Sequence, residues 1–171
     1  VIMKIGNKVI NYSVYVASKK VGDTVSVELP EIEFLTDSIK GAGIVGEIDL
    51  PSLYQVGSMS LSISTRVSNI PDDLALLMSA RDIEIRWVAD AINTSNASSD
   101  VVGHKAFIKC VPKKIGEGKI EPGSGQDGSY EYEVLSYKRV TNGKNILEID
   151  KLNGVFKVNG VDRTKSINSL L

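Results

Sequence analysis

The sequence has few of the residues that build catalytic or metal sites, with one cysteine and one histidine among 171 residues. Cys110 alone cannot form an internal disulfide, and its apolar surroundings favour a buried thiol. His104 alone cannot hold zinc, because zinc requires three or four ligands. Nucleophilic catalysis needs a nucleophile beside a base and an orienting group, and the sequence does not cluster these. We therefore expect a protein that is not an enzyme and has no cofactor and no metal site.

An excess of one charge and long hydrophobic runs are also lacking. The 20 Lys and Arg residues against 21 Asp and Glu leave a formal net charge of −1, whereas tight sequence-independent binding to a phosphate backbone needs an excess of cations. The apolar runs fall short of the ~18 residues that span a membrane, and the first residues do not form a signal-peptide pattern. We expect synthesis in the cytoplasm, no membrane anchor and no tight binding to nucleic acid.

Apolar and polar residues alternate with a period of two along much of the chain, which indicates a mainly β fold. The length and the 42% hydrophobic content suit a single domain over residues 1–171. The predicted strands are Tyr12–Val16, Thr24–Leu29, Glu31–Leu35, Ser58–Val67, Asp82–Val88, Ala106–Val111, Ser129–Val134, Ile146–Ile149 and Val155–Val158. Two stretches rich in loop-forming residues, Asn93–Asp100 and Gly116–Gly128, are expected on the surface.

One helix is predicted at about residues 71–80. Pro71 suits a first helical turn, two aspartates follow it at the positive end of the helix dipole, and Asn69 or Ser68 can cap the helix. The apolar face consists of Leu74, Leu77 and Met78. We expect this face to pack on a sheet.

Serine alternates with apolar residues in the most regular strand of the sequence. The serines are Ser58, Ser60, Ser62 and Ser64. Met59, Leu61 and Ile63 lie between them and are expected to face the core. The alternation distinguishes a core face from a polar face, but it does not tell whether the serine face lies on an inner or an outer surface.

The glycine-rich segment Gly41–Gly46 matches the pattern G-x-G-x-x-G. A nucleotide-binding turn of this kind requires a strand before it and a helix after it. Pro51 follows too closely for a helix, so we interpret the segment as a loop between extended segments. The acidic pairs Glu31 with Glu33 and Glu131 with Glu133 resemble a glycosidase pair, but acids alternating along a strand are typical of its solvated face.

Four motifs near the end of the chain occur in a recognisable order: Tyr137–Val140, Asn142–Lys144, Leu147–Asp150 and Lys157–Arg163. This ending resembles the major tail tube protein of contractile-tailed phages and of R-type, tail-like bacteriocins. Lys157–Arg163, which reads K-V-N-G-V-D-R, is the most specific part. Looser similarity lies upstream at Leu29-Pro30, Gly41–Gly46, Ile48–Leu50 and Pro71-Asp72.

The resemblance implies an antiparallel β-sandwich or barrel-like subunit with one flanking helix and long loops. Six such subunits would form a ring whose β-barrel runs across subunits, and rings would stack into a hollow tube inside a sheath. The implied partners are further copies of the chain, the sheath protein, and baseplate and tail-terminator proteins. A tape-measure protein or DNA would pass through the lumen without tight binding, and the protein would end in the tail of a virion or a released bacteriocin.

Two segments are expected to join subunits, an interaction loop at about 41–51 and a C-terminal segment at about 157–171. The expected contact residues are Gly41, Gly43, Ile44, Val45, Ile48, Leu50, Lys157, Asn159, Asp162 and Arg163. The serine face is expected to line the lumen, because small hydroxyls bind water without fixed charge.

Two other functions compete with a tube. One is a monomeric ligand- or carbohydrate-binding β-sandwich, although the two long loops lack the aromatic residues that stack on sugars. The other is a small β-barrel hydrolase, which the isolated His104 disfavours.

Overall fold

The computed structural model describes residues 3–66 and 69–171. The strands in these ranges are β1 (Lys4–Val16), β2 (Lys19–Val21), β3 (Thr24–Glu28), β4 (Phe34–Ile39), β5 (Ile48–Val56), β6 (Ser60–Thr65), β7 (Asp82–Asn93), β8 (Ser99–Gly116), β9 (Ser129–Thr141), β10 (Lys144–Asp150), β11 (Val155–Val158) and β12 (Val161–Asp162). The helices are α1 (Pro71–Met78) and α2 (Lys165–Asn168). The fold is therefore mainly β, as the sequence predicts.

Antiparallel pairing joins ten of the strands in the described ranges into one sheet, in the order β12-β11-β10-β9-β8-β7-β1-β2 with β6 and β3 as a branch. The branch arises at β9. Residues 136–141 of β9 pair with β10, whereas residues 129–133 pair with β6, and β3 pairs with the far side of β6. Strands β4 and β5 form a separate two-stranded sheet.

Two tight turns set the register at the C-terminal end. Asn142 and Gly143 join β9 to β10 with φ angles of 51° and 76°, and Asn159 and Gly160 join β11 to β12 with φ angles of 53° and 80°. Positive φ at both central residues defines a type I′ hairpin turn, whose twist matches that of the paired strands and which favours Asn-Gly. The Asn-Gly pairs in the sequence therefore mark the actual strand ends.

The core lies on one face of the large sheet, where a row of buried side chains crosses six strands. The row consists of Val16, Ile83, Ile108, Tyr137, Ile149 and Phe156. Strand β6 and helix α1 contribute to the same core, with Leu61 and Leu77 fully buried. The hydroxyl of Tyr132 donates a hydrogen bond to the carbonyl of Leu77 and ties the helix to β9.

The helix prediction was correct in position and wrong in its cap. Helix α1 begins at Pro71, buries Leu77 and packs Leu74 and Met78 against the core. Its N-cap is Ile70, which offers no side-chain hydrogen bond, so Asn69 does not cap it. The alternative cap, Ser68, lies outside the described residues. The second helix, α2, was not expected.

Several strand boundaries also differ from the sequence expectation. Residues 31–33 are not a strand, and β4 begins only at Phe34. The expected loop Asn93–Asp100 is a short turn, because β7 runs to Asn93 and β8 begins at Ser99. The loop after Gly116 is confirmed, since β9 begins at Ser129.

Candidate assembly interface

The serine face is solvent-facing, and its apolar counterpart is in the core. Met59, Leu61 and Ile63 are all 0% exposed. Ser58 and Ser60 are exposed, and Ser62 and Ser64 are half-buried. The alternation predicted for this strand therefore separates core from surface as expected. That the surface lines a lumen stays a prediction.

Strand register adds carboxylates to this face, which the sequence did not reveal. Ser60 and Ser62 are Cα partners of Glu133 and Glu131 on β9, and Ser62 is also a partner of Glu28 on β3. The hydroxyl of Ser58 lies 2.8 and 2.9 Å from the two carboxylate oxygens of Glu133. Lys113 forms an ion pair with Glu133 at 3.6 Å, and Lys114 is the Cα partner of Glu131. The face is thus hydroxylated and carries charges of both signs.

Strands β4 and β5 form an arm, defined here as residues 31–56, that carries the first predicted contact segment. Gly41 and Gly43 lie in its tip with φ angles of 155° and 87°. Ile48 and Leu50 belong to β5 rather than to the loop, so the predicted interaction loop ends before Ile48. Apolar side chains are exposed along it, with Val45 at 104%, Ile48 at 48% and Leu50 at 52%. Ile44 is half-buried.

The C-terminal contact segment, predicted at about 157–171, comprises the end of β11, the turn, β12 and the residues through α2. Asn159 occupies the exposed turn, and the side chain of Arg163 is exposed. Lys157 and Asp162 face each other across the hairpin. Asp162 also accepts hydrogen bonds from the backbone and hydroxyl of Thr164, which together with nearby lysines hold its pKa below the usual value. Asp162 therefore has a local role besides any contact between subunits.

A third exposed element was missed by the sequence analysis. Residues 4–11 of β1, 88–93 of β7 and 99–103 of β8 pair as a ribbon outside the hydrophobic core cluster. Its exposed apolar side chains include Ile5, Val9, Ile10, Ile92 and Val101. Few of their side chains are buried, Ala91 and Asn93 being exceptions, so periodicity gave no signal.

Cys110 and His104, the two side chains best suited to catalysis or metal binding, lie in unreactive surroundings. Cys110 is 2% exposed, and burial raises the pKa of its thiol to about 11. His104 is half-buried within β8 and stacks on Trp87 at 5.3 Å. In residues 3–66 and 69–171, no group of three His, Cys, Asp or Glu side chains could hold a metal ion. No helix in these ranges is long and apolar enough to cross a membrane.

The fold and its surfaces define a β-structured assembly subunit. Comparison with known proteins gives the family: the chain belongs to the phage tail tube protein FII family, whose model matches residues 6–171. The tail tube protein of Escherichia phage P2 is 29% identical over 144 residues, covering 81% of this chain and 80% of that protein. The protein is a tail tube subunit.

Solved structures share the fold. The sheath/tube terminator of an extracellular contractile injection system, PVC, in its extended state has a TM-score of 0.52 at 14% identity, covering 78% of this chain and 96% of that chain. The sheath-tube complex of the same kind of system in its extended state has a TM-score of 0.51 at 14% identity, covering 75% and 87%. At this identity the likeness concerns the fold alone.

Proposed function

We propose that the chain acts as one tail tube domain with a structural, non-catalytic role, and that six copies close into a ring that stacks into a hollow tube. The observation that carries this proposal is the pair of β elements, the arm and the ribbon, which expose apolar side chains away from the core. A monomeric protein rarely exposes extended apolar surface without a partner. Ring closure requires a head-to-tail contact between two different surfaces of the subunit.

The tube surrounds a lumen lined by the serine face and is surrounded by a sheath. Family membership and the sheath-tube neighbours support the tube and the sheath. The hydroxyls and locally paired charges of the serine face suit a channel through which DNA or a tape-measure protein slides without tight binding. Baseplate and tail-terminator proteins would close the two ends. Synthesis occurs in the host cytoplasm before incorporation into a tail.

Negative-stain microscopy of the purified chain tests the proposal. Uniform hollow rods, or rings with six-fold symmetry, are the expected result. Dispersed single particles at high protein concentration would contradict it and favour a monomeric ligand-binding β-sandwich.

A further inference from the structure

Arg139 lies on β9 where the core meets solvent. Alternation places its side chain on the same face as the buried Tyr137, and its Cα partners are Ala106 and Leu147. Its guanidinium carbon is 4.4 Å from the ring centroid of Trp87. Nη1 donates to the Thr141 hydroxyl at 3.2 Å. The charge therefore rests on an aromatic ring at the margin of the core.

A second nitrogen of the guanidinium meets a histidine rather than an acid. Nη2 of Arg139 lies 3.2 Å from Nδ1 of His104. An arginine is always a donor, so His104 accepts this bond in its neutral form with the proton on Nε2. Burial is the main cause lowering the pKa of Arg139, which shows that the surroundings disfavour its charge. Within the described ranges Arg139 has no ion pair with a carboxylate.

A half-buried cation without a counter-charge is costly in a folded protein. The surroundings of Arg139 resemble the centre of a protein interface, where arginine and aromatic residues are enriched and charges are paired. Leu147 and Val158 are half-buried in the same cross-strand row, and Val161 at its end is 54% exposed. We call Trp87, His104, Arg139 and Val161 the Arg139 surface.

We infer that the Arg139 surface binds a carboxylate on the β4–β5 arm of a second copy of this chain. This inference rests on the proposed function, because it requires that subunits assemble with one another. The guanidinium would form a charge-assisted hydrogen bond with the acid, and the apolar row would cover exposed aliphatic side chains of the arm.

The arm carries the negative charges and the exposed aliphatic side chains that would complement the Arg139 surface. Residues 31–50 contain five acids, Glu31, Glu33, Asp37, Glu47 and Asp49, against Lys40, a net charge of −4. Lys40 approaches only Glu47, at 3.8 Å. Asp49 lies between the half-exposed Ile48 and Leu50 and makes no ion pair within the described residues. The base of the arm packs on Phe156 through Phe34 and Tyr54, whereas residues 36–50 lie outside the core cluster. A two-stranded sheet without core packing is marginally stable, so this part of the arm gains from docking.

The first experiment separates an interface role from a structural one. Arg139→Met keeps the length of the side chain and removes the charge. We expect the melting temperature of the unassembled subunit to stay the same or to rise, while the concentration needed for tube assembly rises at least about tenfold. Arg139→Lys keeps the charge but lacks the planar guanidinium, so the concentration that it needs for assembly should lie between those of Arg139→Met and the wild type. Arg81→Met changes an exposed arginine and serves as the matched control.

Two outcomes of this experiment would overturn the inference. Normal assembly of Arg139→Met would show that no partner needs the charge. A melting temperature several degrees lower, with assembly lost in proportion, would show that Arg139 only supports the subunit's own fold. A wild-type chain that forms no tubes would instead refute the proposed function itself.

The second experiment identifies the occupant. Asp37→Asn, Glu47→Gln and Asp49→Asn, combined with Glu31→Gln and Glu33→Gln, remove all five carboxylates of the arm with little change in shape. If the arm supplies the carboxylate, adding Arg139→Met to this variant should weaken assembly little further, because both changes remove one interaction. If the two changes weaken assembly additively, Arg139 pairs with another segment or with the sheath, or has no partner, and the inference would fail. Glu117→Gln with Glu121→Gln, in the 117–128 loop, is the control and should add independently.

Discussion

His104 is held neutral by its surroundings. Burial is the main cause that lowers its pKa below 6.5, and the charge of Arg139 lowers it further. Thr141 lies beside the ring at 3.0 Å, Trp87 stacks on it, and Lys144 pairs with Thr141 on the adjoining strand. A second positive charge on the ring would face Arg139 directly. The neutral ring is therefore part of what makes the folded state stable.

Acid should weaken the fold through this residue. Because the folded pKa of His104 lies below the unfolded value, its contribution is complete above pH 6.5 and is lost as the pH falls through the folded pKa. The melting temperature of the unassembled subunit should fall between pH 7 and pH 5, and His104→Gln should reduce that fall. Asp90 and Asp162, whose pKa values are also lowered, act only at more acidic pH. Identical profiles for variant and wild type would contradict the prediction.

The buried hydroxyl of Tyr132 should contribute to the stability of the fold. It bonds the Leu77 carbonyl in the last turn of α1, where carbonyls lack helical partners. Tyr132→Phe should lower the free energy of unfolding by about 1 to 2 kcal/mol, because a buried acceptor loses its donor. Urea denaturation measures the change. Tyr130→Phe on the same strand is the control, and equal losses in both variants would argue against a specific bond to the helix.

At the scale of elements, the sequence predicted strands well where one face is buried and poorly elsewhere. Strand β6 was recognised because serine and core residues alternate through it. The first half of β1 was not, because residues 4–10 are exposed on both faces and only pairing with β7 makes them a strand. The Arg139 surface was equally invisible, since register brings together Trp87, His104 and Arg139 from three strands.

The arm should change its dynamics on assembly. Its apolar side chains are exposed in the single subunit, and its glycine-rich tip is costly to fix. Amide exchange over residues 41–51 should be fast in unassembled subunits and at least about tenfold slower in tubes, since docking removes the open state. Residues 106–110 of β8, whose side chains Ala106, Ile108 and Cys110 lie in the core, are the internal control and should be protected in both. Equal exchange of the arm in both states would rule out docking of this element.

The C-terminal hairpin is expected to join subunits. Truncation after Val158 should leave a folded subunit that does not polymerise, but it also removes Thr164, whose hydroxyl bonds the Gly154 carbonyl at 3.0 Å. Arg163→Glu is therefore the sharper variant, because the side chain is exposed. It should change the free energy of unfolding by less than about 0.5 kcal/mol and still impair assembly in a sedimentation assay. Normal tubes from both variants would show that the segment only completes the subunit.

At the scale of the whole molecule, the two faces of the sheet meet different surroundings. One face packs against the core, to which α1 contributes Leu77. The opposite surface carries the serines with Glu131 and Glu133, and register makes this patch continuous from β3 to β9. A tube wall one subunit thick needs one face that a moving polymer does not bind. Hydroxyls, with glutamates whose charge is offset by Lys113 and Lys114, offer DNA no excess of cations to bind.

Cysteine labelling tests whether this face is the lumen. Ser60→Cys and Ser62→Cys place thiols on it, and the native Cys110 contributes little background because it is 2% exposed. Both variants should react with a bulky thiol reagent as unassembled subunits. In intact, end-capped tubes the labelling rate should fall at least about tenfold, because the capped ends keep the reagent out of the lumen. Breaking the tubes should restore the rate. Rapid labelling along intact tubes would place the serine face outside, under the sheath, and this polar face would then meet the sheath protein rather than the cargo.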